Sequence, residues 1–325
     1  VQRTAPIQSA VSIATWSQRV IAIVERSIVG KRAVIEQCLV GAVAGGHLLI
    51  EDAPGVGKTT LARALASALG LGFARVQCTS DLLPSDILGV TVFDQAQGQA
   101  QGKFQFKPGP IFHEVVLVDE LNRASPRTQS ALLEAMAEGS VSLEGQAHPL
   151  PQPFLVLATQ NPLEHAGTYP LPDSQLDRFL MRLTLGYPPA DAERRLIEGD
   201  GERAGSTEVT DPGTGATSLL DAHAAARAVR LAPEVADYLM RLVEATRNSQ
   251  HLASGASTRG ALLLSRAVRA RALLRGRDFA LPDDVKALLA PCLGHRMTLA
   301  GGRQGSQAAE AERILADIAE RTPVP

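Results

Sequence analysis

Apolar and polar residues follow two different periods along this chain, and the changes between them outline a fold. Residues 8–27 carry Val11, Ile13 and Val20 among polar positions, and residues 31–44 continue in the same style, so both stretches predict amphipathic helices. The run His47-Leu48-Leu49-Ile50 is short and continuously apolar, which predicts a buried strand. A glycine-rich turn follows, and then helical spacing from Thr59 to Leu69. Further short apolar runs at 73–77, 114–118, 154–158 and 180–185 predict more strands, with helices between several of them. Ser125-Pro126 opens one of these helices, with Ser as the cap and Pro at the first helical position. Apolar strands alternating with helices predict an α/β fold whose mainly parallel sheet is covered on both faces.

After Pro188 the pattern changes. Residues 189–198 read as a helix, and 199–217 are rich in Gly, Ser, Thr and Asp and read as a connector. From 218 onward every segment reads helical. Val235, Leu239, Leu242, Val243 and Thr246 keep helical period, as do Leu264, Val268 and Ala272. Pro282 opens another helix, with Asp283 and Asp284 suited to its first turn. The expected division is an α/β domain over 1–187 and a smaller all-helical domain over 188–325.

Composition narrows the class. The chain has 325 residues, enough for about two domains with sizeable cores. Lys and Arg number 32 against 34 Asp and Glu, a net charge of −2 that supplies no global basic field for nucleic acid. Cys38, Cys78 and Cys292 lie far apart and form no CxxC pair, so buried reduced thiols are expected rather than zinc ligands or disulfides. No apolar run reaches membrane-spanning length, and Gln8, Ser9, Ser12, Thr15 and Ser17 interrupt any leader-like core. A cytoplasmic protein without a membrane partner is expected.

The most informative motif is Pro54-Gly55-Val56-Gly57-Lys58-Thr59-Thr60, between a strand and a helix. Such glycines let backbone N–H groups curl around a phosphate, and the helix N-terminus adds positive potential. Lys58 would reach the β- and γ-phosphates of ATP, and the Thr59 hydroxyl would hold Mg²⁺. Asp52 stands where the usual pattern has its first Gly, a position that serves the turn and that Asp tolerates. Val115-Val116-Leu117-Val118 then ends in Asp119-Glu120. Asp119 would join the Mg²⁺ shell, and Glu120 would take a proton from the attacking water.

Two further stretches complete the candidate chemistry. The strand Phe154-Leu155-Val156-Leu157-Ala158 runs into Thr159-Gln160-Asn161-Pro162, where Asn161 would orient the lytic water. Arg178 sits just before the last strand, and Arg259 in the first turn of a helix opened by Ser257-Thr258. An arginine aimed at the transferring phosphoryl group is worth roughly 10³–10⁵ in turnover.

In this order these residues resemble the MoxR family of AAA+ ATPases. The matching blocks are Ile28-Val29-Gly30-Lys31, Glu51 through Thr59, Asp81 through Asp86, Phe106 through Phe112, Asp119 through Ala124, Ala158 through Pro162, Leu176 through Phe179, and Gly255 through Arg259. They span nearly the whole chain. The resemblance implies a P-loop AAA+ core with a helical lid, and it implies roles. Val29 and Gly30 would contact adenine; Lys58 and Thr59 belong to Walker A, and Asp119 and Glu120 to Walker B. Asn161 would be sensor 1, Arg178 the finger offered to a neighbouring subunit, and Arg259 sensor 2, in cis or in trans. It also implies a hexameric ring and a chaperone that remodels a partner protein, often one with a von Willebrand factor A domain. Relatives usually have Pro where this chain has Thr258, with little effect expected because the cap survives. Residues 88–106 fit the family's insertion and predict a β-hairpin with a flexible tip over 95–102; Ser140 to Pro153 predicts a second. Such hairpins face a ring's centre or a partner, or only brace the domain.

Two other readings compete with the remodelling ATPase. A nucleic-acid motor or loader would draw on Arg266, Arg269, Arg271, Arg275 and Arg277, a run that equally suits a solvated or lid-packing helix face. Net charge and the scarcity of aromatics, 4%, speak against it. A scaffold that only senses ATP has no need of Glu120 and Asn161.

Overall fold

The computed structural model describes residues 4–94, 103–161, 167–198, 216–301 and 307–325. Its first half is built on five parallel strands: β1 (His47–Glu51), β2 (Phe73–Gln77), β5 (Val115–Asp119), β8 (Leu155–Gln160) and β9 (Phe179–Leu183). They lie side by side in the order β2-β5-β8-β1-β9, and every neighbouring pair is parallel. Alternate residues point to opposite faces. Leu48, Ile50, Val115, Leu117, Leu155 and Leu157 enter one apolar cluster, while Leu49, Val116, Val118, Val156 and Ala158 enter the other. A sheet buried on both faces demands continuous apolar strands, which is why these runs carry no polar alternation.

The first face is covered by α1 (Thr4–Ser27), α2 (Arg32–Val43) and α3 (Lys58–Leu69). The other is covered by α4 (Pro84–Leu88) and α5 (Pro126–Glu138). As expected, Ser125 caps α5, accepting from Thr128 N. Both expected hairpins are present: β3 (Gly89–Asp94) with β4 (Lys103–Pro108), and β6 (Ser140–Leu143) with β7 (Gln146–Pro149). Phe106 joins them, stacking on His148 at 4.1 Å and meeting Phe112 edge-on at 5.4 Å. Further out on the same face Phe93 and Phe104 pair at 5.1 Å and are exposed. The hairpin tip, 95–102, lies outside the described residues, as do Pro162 and positions 199–215 of the connector.

A short helix, α6 (Asp173–Leu176), precedes β9, and α7 (Ala190–Ile197) follows it. The lid contains α8 (Ala216–Ala228), α9 (Pro233–Arg247), α10 (Thr258–Leu274), α11 (Pro282–Leu293) and α12 (Gln307–Arg321). Two expectations are corrected here. Residues 216 and 217, read as connector, already belong to α8. The lid is not helical throughout: β10 (Leu252–Ser254) pairs antiparallel with β11 (Thr298–Leu299). Strands of three and two residues are too short to leave a period in the sequence. The lid's apolar face continues the α1–α2 cluster, and α10 packs on α1, α2 and β9. Arg182 of β9 also ties α12 to the sheet through Glu312 at 3.0 Å. Among the described residues no helix is long and apolar enough to cross a membrane.

Candidate functional site

The loop between β1 and α3 is shaped by its glycines. Gly55 (φ +83°) and Gly57 (φ +96°) occupy the left-handed region, where a Cβ is strained, and Gly57 opens α3. Pro54, Gly55 and Thr60 are exposed, Val56 is buried, and Lys58 and Thr59 are half-buried. Lys58 Nζ donates to Asp52 O at 2.7 Å, folding over the loop. Burial lowers its pKa, while the charges of Asp52, Asp119 and Glu120 oppose that shift.

Asp52 does more than permit a turn. Its carboxylate accepts from Ala53 N at 2.8 Å and, very closely, from Gly186 N just past β9. The turn carrying Val29 and Gly30 arrives at the same corner. Lys31 Nζ donates to Tyr187 O, and a Cβ on Gly30 (φ +75°) would lie 2.8 Å from Pro189 Cγ. Ile28 Cδ1 lies 3.6 Å from where Gly57 would carry a Cβ. Ile28, next to Val29 and Gly30, thus sits against the phosphate loop although about thirty residues separate it from Gly57.

The acidic pair is held by residues that the sequence reading gave no role. Thr159 Oγ1 donates to Asp119 Oδ1 at 2.6 Å and accepts from Glu120 N at 2.9 Å. Arg75 of β2 pairs with Asp119 Oδ2 at 2.7 Å. Glu120 adopts φ +56°, which turns its side chain back toward β2. There its Oε2 accepts from Gln77 Nε2 at 2.9 Å and from Arg123 at 3.0 Å. Gln77 lies directly opposite Asp119 in the β2–β5 register. The available signal was a polar residue closing an otherwise strand-like run, Arg75-Val76-Gln77, beside the strand that ends in Asp119. Asn161 is buried one residue past β8, at the same sheet end as Lys58 and Glu120. The Thr59 hydroxyl and the Asp119 carboxylate are hard oxygen donors, a set that fits a magnesium ion.

Arg178 and Arg259 are not in this group. Strands β1 and β9 run parallel, with His47 opposite Phe179 and Ile50 opposite Leu183. Arg178 therefore sits where β1 begins, and Lys58 follows where it ends, about 15 Å of strand away. Arg178 instead lines a cleft of about 450 Å³ with Arg259, Arg266, His47 and Gly46. Its guanidinium donates to Leu133 O at 2.6 Å, and its Nε is buried without an acceptor. Arg259 is exposed in the first turn of α10, whose cap, Ser257, accepts from Gly260 N at 2.9 Å despite the Thr258 departure. Three other arginines of the run at 266–277 pair with carboxylates, while Arg266 is exposed. Arg271 and Arg277 bind Asp284, and Arg275 binds Glu36.

This geometry defines a P-loop ATPase whose helical lid is folded back on the sheet, and the comparisons agree. Residues 47–181 match the model of the ATPase family associated with various cellular activities (AAA), and residues 244–318 match the AAA lid domain. The chain belongs to the MoxR family of AAA+ ATPases. Chaperone MoxR1 of Mycobacterium tuberculosis is 41% identical over 297 residues, 87% of this chain and 75% of the relative. The uncharacterized protein YeaC of Bacillus subtilis is 41% identical over 302 residues, 93% of this chain and 92% of the relative. A crystal structure of a Cytophaga hutchinsonii protein assigned as an ATPase superposes with TM-score 0.86 at 34% identity, covering 98% of this chain and 97% of that one. The activity is ATP hydrolysis.

Proposed function

We propose that this ATPase works as a head-to-tail ring, a hexamer by family resemblance, in which each phosphate loop is completed by a neighbouring copy. The observation that carries this reading is the cleft shared by Arg178 and Arg259, at the sheet end opposite Lys58. Neither guanidinium reaches its own nucleotide loop, so a phosphoryl group for them to stabilise has to come from another chain. Repeated contacts of that kind close into rings when the rotation permits. The position of Arg259 in that cleft likewise favours its action in trans.

Within one site, the loop N–H groups and Lys58 hold the triphosphate, and Val29 and Gly30 hold adenine. Thr59 and Asp119 would hold Mg²⁺, which offsets the charge of the β- and γ-phosphates. Glu120, once released from Gln77 and Arg123, takes the proton of the attacking water, and Asn161 orients that water. The boundary near residue 187 then separates a nucleotide-binding part, 1–187, from a lid, 188–325, that reports the nucleotide state. We assign the output to remodelling of a client protein in the cytoplasm. The name of the relative Chaperone MoxR1 supports a client, and by family resemblance a von Willebrand factor A domain is the first to try.

The test is ATP turnover per subunit against protein concentration with Mg²⁺, beside Glu120→Gln and Arg178→Ala. Turnover that rises with concentration and is lost in both variants supports the shared site. Flat turnover with a normal Arg178→Ala overturns it.

A further inference from the structure

Behind Arg178 and Arg259, two of the three arginines that line the shared cleft, lies a buried arginine outside that lining. Arg296 closes the short turn after α11 and is 7% exposed. A guanidinium has five N–H groups, and all five are bonded here. Nε donates to Asp177 Oδ1 at 2.8 Å. One terminal nitrogen donates to Asp177 O at 3.2 Å and to Phe179 O; the other donates to Leu180 O at 3.3 Å and to Cys292 O. Four of the five acceptors belong to residues 177–180, the segment that carries Arg178.

The stem of the same side chain passes beneath the start of α10. A Cβ on Gly260, the neighbour of Arg259, would lie 3.1 Å from Arg296 Cδ. Ser257, the cap of α10, donates to the same Asp177 oxygen at 3.0 Å. Thr298 of β11 adds a bond to Asp173 Oδ2 at 3.0 Å, in the helix before the segment. Three parts of the lid therefore grip one short stretch of the core. An apolar side chain would fill the space at less electrostatic cost, so the bonding pattern points to alignment rather than to stability alone.

We propose that Arg296 is a positioning residue for ATP hydrolysis: it holds the lid and the 177–180 segment as one body, so that Arg178 and Arg259 reach a neighbour's nucleotide together. With every donor committed, Arg296 has none for phosphate and acts through Arg178. This inference rests on the shared-site reading above.

The test uses the full chain. Arg296→Lys keeps the charge and loses the fork. Asp177→Asn loosens the same grip from the core side with a milder change. Misplacing a catalytic group by about 1 Å costs on the order of a hundredfold. The expected result is a kcat about a hundredfold lower for Arg296→Lys, with a smaller loss for Asp177→Asn. KM for ATP and Kd for a fluorescent ATP analogue stay within about twofold, because the phosphate loop is untouched. Mixing Arg296→Lys with Glu120→Gln restores turnover, since the first supplies an intact base and the second an intact finger. Normal kcat in Arg296→Lys, alongside an inactive Arg178→Ala, overturns the proposal. So does a loss accompanied by weaker nucleotide binding and no recovery on mixing. Full turnover in Arg178→Ala overturns the shared site itself.

Discussion

Thr159 Oγ1 donates to Asp119 Oδ1 at 2.6 Å while accepting from Glu120 N, so one hydroxyl fixes both members of the acidic pair. Thr159→Val keeps the shape and removes the hydroxyl. It leaves the Glu120 N–H without its acceptor and frees Asp119 to rotate. Turnover is expected to fall about tenfold or more, with a higher Mg²⁺ concentration at half-saturation. A magnesium titration of ATP turnover checks this.

Glu120 is restrained as well as aligned. Gln77 and Arg123 both hold Oε2, which under the proposed role as base withholds the carboxylate from the water. Removing both restraints, Gln77→Ala with Arg123→Ala, should raise basal turnover several-fold if Glu120 otherwise moves freely to the water. Steady-state ATP hydrolysis without a client measures it. A lower rate would mean that these two residues aim the carboxylate instead of withholding it.

Gly30 combines φ +75° with a close approach to Pro189. Gly30→Ala adds a methyl group where neither the backbone angle nor the space accepts one. The expected cost is about 1–3 kcal/mol of stability and a weaker grip on the base. Kd should rise for ATP more than for inorganic triphosphate, which lacks the base. Competition against a fluorescent nucleotide separates the two.

His47 makes stability depend on pH. Its Nδ1 accepts from Val156 N at 3.0 Å and its Nε2 faces Met136 O at 3.2 Å, which is the bonding of a neutral ring. Burial lowers its pKa to about 4, from 6.5. Between those values the unfolded chain takes a proton that the folded chain refuses. Stability is therefore complete above about pH 6.5 and is lost as pH falls toward 4. His223 and His295 are lowered in the same direction, chiefly by burial. Melting temperature should drop by several degrees between pH 7 and pH 5, with a shallower slope in His47→Gln.

Asp284 is the charge centre of the lid. It is 2% exposed and accepts from both terminal nitrogens of Arg277 at 2.8 Å and from Leu281 N at 2.9 Å, and Arg271 forms an ion pair with it at 3.2 Å. Asp284→Ala leaves two guanidiniums without their anion. The expected loss is about 3–5 kcal/mol, read as a lower urea midpoint. Arg266→Ala, on the open side of α10, should leave that midpoint nearly unchanged.

The parts of the site that the sequence revealed are those built from neighbours in the chain. Pro54 to Thr60 announce a phosphate loop because glycine geometry, a following helix and a lysine work within one turn. Asp119-Glu120 is legible because a buried strand cannot carry two carboxylates except at its end. The helix caps Ser125 and Ser257 act over three residues. The lid helices were legible by period, whereas β10 and β11 were too short to have one.

Residues that act through distant partners were not legible. Thr159 appeared only as a polar residue after an apolar run, and Gln77 as the last residue of the short run at 73–77. Their roles depend on β2, β5 and β8 lying adjacent, an order that local spacing does not encode. The sequence by itself determined an α/β core with a phosphate loop, an acidic pair and a helical lid, because backbone geometry and hydrophobic period are local properties. Only the tertiary structure decided that Arg178 and Arg259 share a cleft at the far end of the sheet, with Arg296 buried behind them. That arrangement is set by strand order and by how the lid docks on β9, and both follow from burying apolar faces brought together from opposite ends of the chain.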